Sequence, residues 1–204
     1  VTARRENLAA MSIDREPPAG LVIASGKASG FIAGADVEEF KVIGSEADAM
    51  ALVRRGWDTF ERLAAVKYPT VALIRGFCLG GGLELTLTCD LRICAEDAQF
   101  GIPAARLGIG YAADALRQLV NLVGPSAAKE VLYTARRYNA QEALRLGIVN
   151  QVVPAGELDE FVAKYAAGIA GNAPLSLIAA KRVVDEIIKD KEERNTALCD
   201  QVVA

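Results

Sequence analysis

The rhythm of apolar and polar positions changes about halfway along the chain. Leu21 to Ser25 (LVIAS) is a short apolar run closed by Gly26, and Thr70 to Ile74 (TVALI) is a second, closed by Gly76. Short unbroken runs rich in Val, Ile and Leu predict buried strands. Between them Ala49, Leu52, Val53, Trp57, Phe60 and Leu63 recur at three- and four-residue spacing, which predicts an amphipathic helix capped by Ser45 and stopped before Pro69. Strand, helix, strand predicts a right-handed parallel crossover. Leu91 to Ala95 (LRICA) adds a third strand, preceded by a short helix from about Gly82 to Thr88.

Beyond residue 110 helical periodicity takes over. Helices are predicted around Ala115 to Val123, Ser126 to Thr134 and Ala140 to Leu146, the last closed by Gly147, followed by a strand from Ile148 to Val153 ahead of Pro154. Glu157 to Ala170, Leu175 to Lys189 and Glu192 to Ala204 read as further helices. The expected fold class is α/β: a strand-rich part over about 1–110 and a helical part over about 111–204. With no repeat, low-complexity tract or linker, one domain over 1–204 is expected.

Composition narrows function mainly by exclusion. Of 204 residues, 52% are hydrophobic and 24% charged, the profile of a folded globular domain. A chain of this length buries roughly 70% of its unfolded surface without needing a disulfide or metal. The net charge of -3, without blocks of like charge, speaks against nucleic-acid and membrane partners. Cys78, Cys89, Cys94 and Cys199 form no C-x-x-C pair and lie in or beside apolar runs; they are expected to be free thiols in a reducing compartment, the cytoplasm. No apolar run approaches a membrane-span length of about 18 residues, and no secretory signal pattern opens the chain. Histidine is absent, which removes Ser-His-Asp and Cys-His catalysis and the commonest metal sites. Catalysis falls to carboxylates, Tyr, Lys, Ser, Cys or the backbone.

Two glycine-containing strand-to-helix turns stand out. One is Phe31-Ile32-Ala33-Gly34-Ala35-Asp36, with Asp36 suited to cap a helix starting at Val37. The other is Gly76-Phe77-Cys78-Leu79-Gly80-Gly81-Gly82-Leu83-Glu84-Leu85. Three glycines after a strand let the main chain approach a ligand and aim amides at it, reinforced by the positive end of the following helix. Phosphate-cradling readings fail, because Leu85 stands where a dinucleotide fingerprint needs Gly and no Gly-x-x-x-x-Gly-Lys-Ser/Thr run exists. Glu84 follows Gly81 by three residues, so a helix starting there sets both on one face. Read alone, Glu84 is equally a first-turn glutamate favoured by the helix dipole.

FIAGAD followed about 45 residues later by GFCLGGGLEL resembles the paired signature of the enoyl-CoA hydratase/isomerase (crotonase) family. The similarity extends from about Leu21 to Lys189 and takes in QFG-x-P at 99–103, the Leu-Gly at 107–108 and ALRLGIVNQVVP at 143–154. The resemblance implies a spiral of β-β-α units, assembly as a homotrimer or pair of trimers, and an acyl-CoA thioester substrate, with CoA part of the substrate and no separate cofactor. It also implies that the amides of Ala35 and Gly81 form an oxyanion hole and that the Ala33 carbonyl meets the adenine amino group. Gly34, Asp36, Gly80, Pro103 and Asp114 are expected to line the substrate site. Glu84 matches one of the two catalytic glutamates of hydratases. By the same comparison, the family's N-terminal strands and C-terminal end are expected to be missing.

Departures from the pattern matter as much. The second hydratase glutamate should follow Pro103, yet Ala104 stands there. Hydration needs a base for water and an acid for the α-carbon, so Glu84 must do both or another group must substitute. Tyr111 and Asp114 are the candidates near in sequence; alternatively Tyr111 packs at a helix entrance and Asp114 is the N-cap of the helix at Ala115. Gly108-Ile109-Gly110-Tyr111 resembles the Gly-x-x-Tyr of members that decarboxylate methylmalonyl-CoA. Glu38 and Glu39 occupy a stretch where members often carry a base for CoA phosphates, with Lys41 beyond. The leading expectation is a lyase of the enoyl-CoA hydratase type. Its alternatives are decarboxylation or isomerisation on the same enolate platform, and, from another class, a non-catalytic acyl-CoA-binding protein.

Overall fold

The computed structural model describes residues 19–27, 30–34 and 44–203. Strands β1 (Leu21–Ala24), β3 (Thr70–Ile74), β5 (Leu91–Ala95) and β8 (Gln151–Val153) form one sheet in the order β1-β3-β5-β8, every neighbouring pair parallel. A second sheet has the order β2-β4-β6-β7, from β2 (Gly30–Ile32), β4 (Phe77–Leu79), β6 (Gln99–Gly101) and β7 (Tyr138–Asn139). It is parallel except for β6 and β7.

The chain moves between these sheets in a repeating step. β1 and β2 are followed by α1 (Glu46–Ala64), β3 and β4 by α2 (Gly81–Leu87), and β5 and β6 by α3 (Ala104–Leu107), the first strand of each pair lying in one sheet and the second in the other. This is the β-β-α succession that the family resemblance implied. Arg75 and Gly76 alone separate β3 from β4. Gly76 makes the change of sheet at φ +56°, a left-handed conformation open to glycine at little cost.

Both faces of β3 and β5 are covered, which is why their sequences read as unbroken apolar runs rather than alternating ones. Val71, Leu73, Ile93 and Ala95 pack on Leu158 and Val162 of α6 (Leu158–Ala170). Ala72, Ile74 and Cys94 face the other way, into a core with Phe31, Cys78, Leu83 and Phe100. Thr70, the first residue of β3, is fully buried, and its backbone N–H and hydroxyl both donate to Asp90, at 2.7 and 2.9 Å. Lys181 of α7 (Pro174–Ile187) reaches the same carboxylate at 2.8 Å and so ties the C-terminal helices to the base of the sheet.

Several predicted elements needed correction. The run at 21–25 is an edge strand of the described sheet, so Ile23 packs on the core while Val22 stays 41% exposed. The strand expected over 148–153 covers only Gln151–Val153. Ile148 and Val149 are buried in the turn leaving α5 (Ala140–Leu146), both with N–H donated to the Ala143 carbonyl. The two helices expected around residues 115–134 are halves of α4 (Ala113–Thr134), broken at Gly124 (φ +76°, ψ 165°) ahead of Pro125. α4 starts earlier than expected, so Ala112 holds the N-cap position and Asp114 lies in the first turn. Short 3-10 turns at 155–157 and 191–193 precede α6 and α8 (Thr196–Val203), which begin later than their sequence patterns suggested. Strands β2, β4, β6 and β7 have two or three residues each, too few for a periodic signal, and β4 lies inside the segment read as a glycine turn. Ser45 caps α1 as expected, accepting the Asp48 N–H at 3.2 Å. The four cysteines are free thiols.

Candidate active site

The two glycine turns meet at the carboxyl ends of adjacent strands β2 and β4. Gly34 has φ +109°, and a Cβ built on it would stand 3.7 Å from the Leu79 carbonyl oxygen. Gly80 has φ +53°; a Cβ there would lie 3.8 Å from the Gly34 Cα and 3.9 Å from the Tyr111 hydroxyl oxygen. Two backbones therefore pass close together under a phenol, a packing available because neither residue carries a side chain. Ala33 lies exposed beside them, while Ala35 and Asp36 fall outside the described residues.

Helix α2 rises from this junction. Its N-cap, Gly80, donates its own N–H to the Gly101 carbonyl at 2.8 Å. Gly81, the first helical residue, has no acceptor within the helix for its N–H, as at every helix start. Among the described residues outside its own helix, no atom lies within 4 Å of where a Gly81 Cβ would stand. Gly82 is the opposite case: a Cβ there would be 2.2 Å from the Ile32 carbonyl oxygen and 2.7 Å from the Ile32 Cβ. The glycine run thus does separate jobs, a left-handed turn at Gly80, the helix start at Gly81 and contact of helix with strand at Gly82.

Glu84 follows in the first turn of α2, half-buried. Among the described residues its carboxylate has no hydrogen-bond partner, and burial pushes its pKa up from 4.5 to about 7. It lines a cavity of about 130 Å³ with Trp57 and Phe60 of α1, Thr88, and Asp114 and Gln118 of α4. The Trp57 indole N–H donates to Glu61 at 2.9 Å, which holds the ring at that wall. Tyr111 is pushed up to about 12 by burial and by the nearby Glu84 carboxylate, so it keeps its proton at neutral pH and can act only as a neutral hydroxyl.

Of the residues singled out in the sequence, Gly34, Gly80, Gly81, Glu84 and Tyr111 converge at this junction, and Asp114 joins Glu84 on the cavity wall. Pro103 stands apart from that cavity, as the N-cap of α3, with Ala104 buried behind it at 7% exposure. Sequence reasoning missed Trp57 and Phe60, because a core face and a cavity wall give the same helical spacing. It also missed Arg92, buried on β5 with its guanidinium against the carboxyl end of α2.

Comparison with known proteins gives one consistent result. The family model "Enoyl-CoA hydratase/isomerase" matches residues 5–203. A probable mitochondrial enoyl-CoA hydratase 2 of Arabidopsis thaliana is 41% identical over 159 residues, 78% of this chain and 52% of that protein. A crotonyl-CoA hydratase of Syntrophomonas wolfei is 37% identical over 179 residues, covering 87% of this chain and 68% of its own length. The crystal structure of an enoyl-CoA hydratase from Bacillus anthracis superposes with a TM-score of 0.87 at 32% identity, over 97% of this chain and 76% of that one. The chain thus spans about half the length of the Arabidopsis relative.

Proposed function

The chain belongs to the enoyl-CoA hydratase/isomerase family, and on that premise we propose that it is an acyl-CoA lyase of the hydratase type, adding water across the double bond of a 2-enoyl thioester. One observation carries the proposal. A half-buried carboxyl, Glu84, lines a cavity one helical turn from the Gly81 amide, whose N–H has no acceptor within α2.

In the proposed reaction the thioester oxygen gains charge as the enolate forms. The Gly81 N–H at the positive end of α2, with the Ala35 N–H as its partner, stabilises that charge more than it stabilises the neutral carbonyl. One such donor contributes roughly 2.7–4 kcal/mol to the barrier. Glu84, with a pKa of about 7, is ionised in part near neutrality; as carboxylate it takes a proton from the water whose oxygen adds to the β-carbon, and then passes that proton to the α-carbon. Ala33, Gly34, Asp36, Gly80, Pro103 and Asp114 are proposed to shape the acyl-CoA site. CoA is taken as part of the substrate, with no separate cofactor. The proposed assembly is a homotrimer or a pair of trimers in the cytoplasm, a reducing compartment that fits the free thiols.

The test is turnover of crotonyl-CoA, followed as loss of the enoyl thioester absorbance with mass analysis of the product. Glu84→Gln should lower kcat at least about a hundredfold, within the range of general acid–base catalysis; hydration at the wild-type rate in that variant would remove Glu84 from the mechanism. A second reading, decarboxylation of a methylmalonyl thioester, is favoured by the Tyr111 hydroxyl beside Gly80. Against it, Glu61, Glu84 and Asp114 all line the cavity, and carboxylates there oppose an anionic acyl group. Turnover of methylmalonyl-CoA in place of crotonyl-CoA would reverse that preference. Acyl-CoA binding with turnover of neither would indicate the non-catalytic binder that Ala104 leaves open.

A further inference from the structure

Arg92 sits on β5 at 3% exposure, away from the proposed chemistry. All four contacts of its guanidinium are to backbone carbonyls. Nη1 donates to Cys89 O at 2.6 Å and Thr86 O at 3.3 Å, Nε to Ile148 O at 2.7 Å, and Nη2 to Asp90 O at 3.5 Å. Among the described residues no carboxylate side chain hydrogen-bonds this cation. The Asp90 charge acts on this cation without a hydrogen bond to it, and burying a charge held by carbonyls alone costs free energy, so the contacts it makes call for an explanation.

The carbonyls it holds do suggest an explanation. Thr86 lies in the last turn of α2 and Cys89 just beyond it, and the other end of that helix presents the Gly81 amide and Glu84. A helix of seven residues has little stability of its own, so its place is imposed from outside. At the amino end the restraints are the Gly80 N–H on Gly101 and the contact of Gly82 with Ile32. At the carboxyl end Leu87 packs in the core, the Thr86 carbonyl accepts the Cys89 N–H at 3.2 Å, and the rigid planar fork of Arg92 adds a bond to that same carbonyl and one to the Cys89 carbonyl just beyond the helix. Arg92 is in turn anchored: its N–H donates to Asn150 Oδ1 and its carbonyl accepts the Asn150 N–H, both at 2.8 Å, on a strand held between β3 and β8.

We infer that Arg92 is a positioning residue for the site, clamping the carboxyl end of α2 so that the Gly81 amide and the Glu84 carboxyl keep their places beside the Gly34 turn. This rests on the reading that α2 carries the enolate-stabilising amide and the proton-transfer carboxyl. A lysine at 92 keeps the charge but replaces the fork with a point ammonium, so α2 loses its fixed end while the cation remains.

The experiment compares wild type, Arg92→Lys and Asn150→Ala for kcat and KM on crotonyl-CoA, for the titration of Glu84 by carboxyl carbon NMR, and for folded fraction by circular dichroism. Asn150 is exposed, and its alanine variant removes the Oδ1 acceptor of the Arg92 N–H while keeping the main-chain bond to the Arg92 carbonyl. In folded R92K, kcat is expected to fall about ten- to a hundredfold with KM within about threefold, as for a misplacement near 1 Å. The Glu84 midpoint should move down towards the ordinary carboxylate range. N150A should shift both in the same direction by less. Glu61 of α1, Tyr111 in the turn before α4, and Asp114 of α4, the other ionisable groups facing Glu84, are unchanged in both variants, so the movement reports α2. A folded R92K with wild-type kcat and Glu84 midpoint overturns the assignment, as does a loss of rate that only tracks folded fraction. If R92K does not fold, N150A decides by the same criteria. If wild type does not hydrate crotonyl-CoA, the hydratase reading fails, and the Glu84 midpoints still decide the role of Arg92.

Discussion

Replacing Glu84 with glutamine should make the protein more stable at alkaline pH while removing its activity. The carboxyl is half-buried without a hydrogen-bond partner among the described residues, and its pKa rises from 4.5 to about 7 because burial disfavours the charged form. A rise of this size corresponds to about 3.4 kcal/mol, and the exposed part of the group, screened by solvent, reduces the expected effect to roughly 1–2 kcal/mol. The sign follows from proton linkage. The folded state binds this proton more tightly than the unfolded state, so the contribution is fully present below pH 4.5, is lost as pH rises through about 7, and stays lost above that. Glutamine is neutral throughout and escapes the loss. For a chain of this size the melting temperature of Glu84→Gln should exceed that of wild type by about 2–8 °C at pH 8.5, with a smaller gap at pH 5. Thermal unfolding followed by circular dichroism at both pH values, beside crotonyl-CoA turnover, provides the measurement. A variant no more stable than wild type at pH 8.5, or a gap that does not widen with pH, would refute the claim that Glu84 is held in a desolvating site.

Three further outcomes are expected. Gly82→Ala puts a Cβ 2.2 Å from a backbone oxygen that cannot turn aside; it should cost about 1–3 kcal/mol in urea unfolding as an overpacked contact and lower kcat by displacing α2, whereas a neutral result would mean that α2 does not rest on β2. Tyr111→Phe should leave crotonyl-CoA hydration within about threefold, since a neutral hydroxyl is not the proposed proton carrier, and should abolish any decarboxylation of methylmalonyl-CoA, both read by mass spectrometry. Cys78, Cys89 and Cys94 are buried with thiols pushed up to about 12 by desolvation, so a thiol reagent at pH 8 should label the half-buried Cys199 first and the other three only on unfolding.

The glycine turns show how far local reading reaches. A glycine run after apolar residues implies close backbone approach whatever the fold, and Gly80 and Gly82 bear this out, whereas Gly81 has no such close neighbour among the described residues. Glu84 was legible because three residues along a helix return to the same face. Ala104 was legible as a departure because the position is set by its neighbours Gly101 and Pro103. Beyond the described residues, the Ala35 amide and Asp36 remain part of the proposal alone.

By itself the sequence determined the elements whose signal is local: the apolar strands at 70–74 and 91–95, the Ser45-capped helix, the glycine turns and the order in which they follow one another. Only the tertiary structure decided that alternate strands belong to two different sheets, because Arg75 and Gly76 change sheet through one left-handed glycine and two- or three-residue strands carry no period. It alone set Trp57 and Phe60 on a cavity wall instead of in the core, brought Tyr111 over Gly80 from 31 residues away, and turned Arg92 onto the end of α2. Those are contacts across the chain, made by which faces pack together, and spacing along the sequence does not encode them.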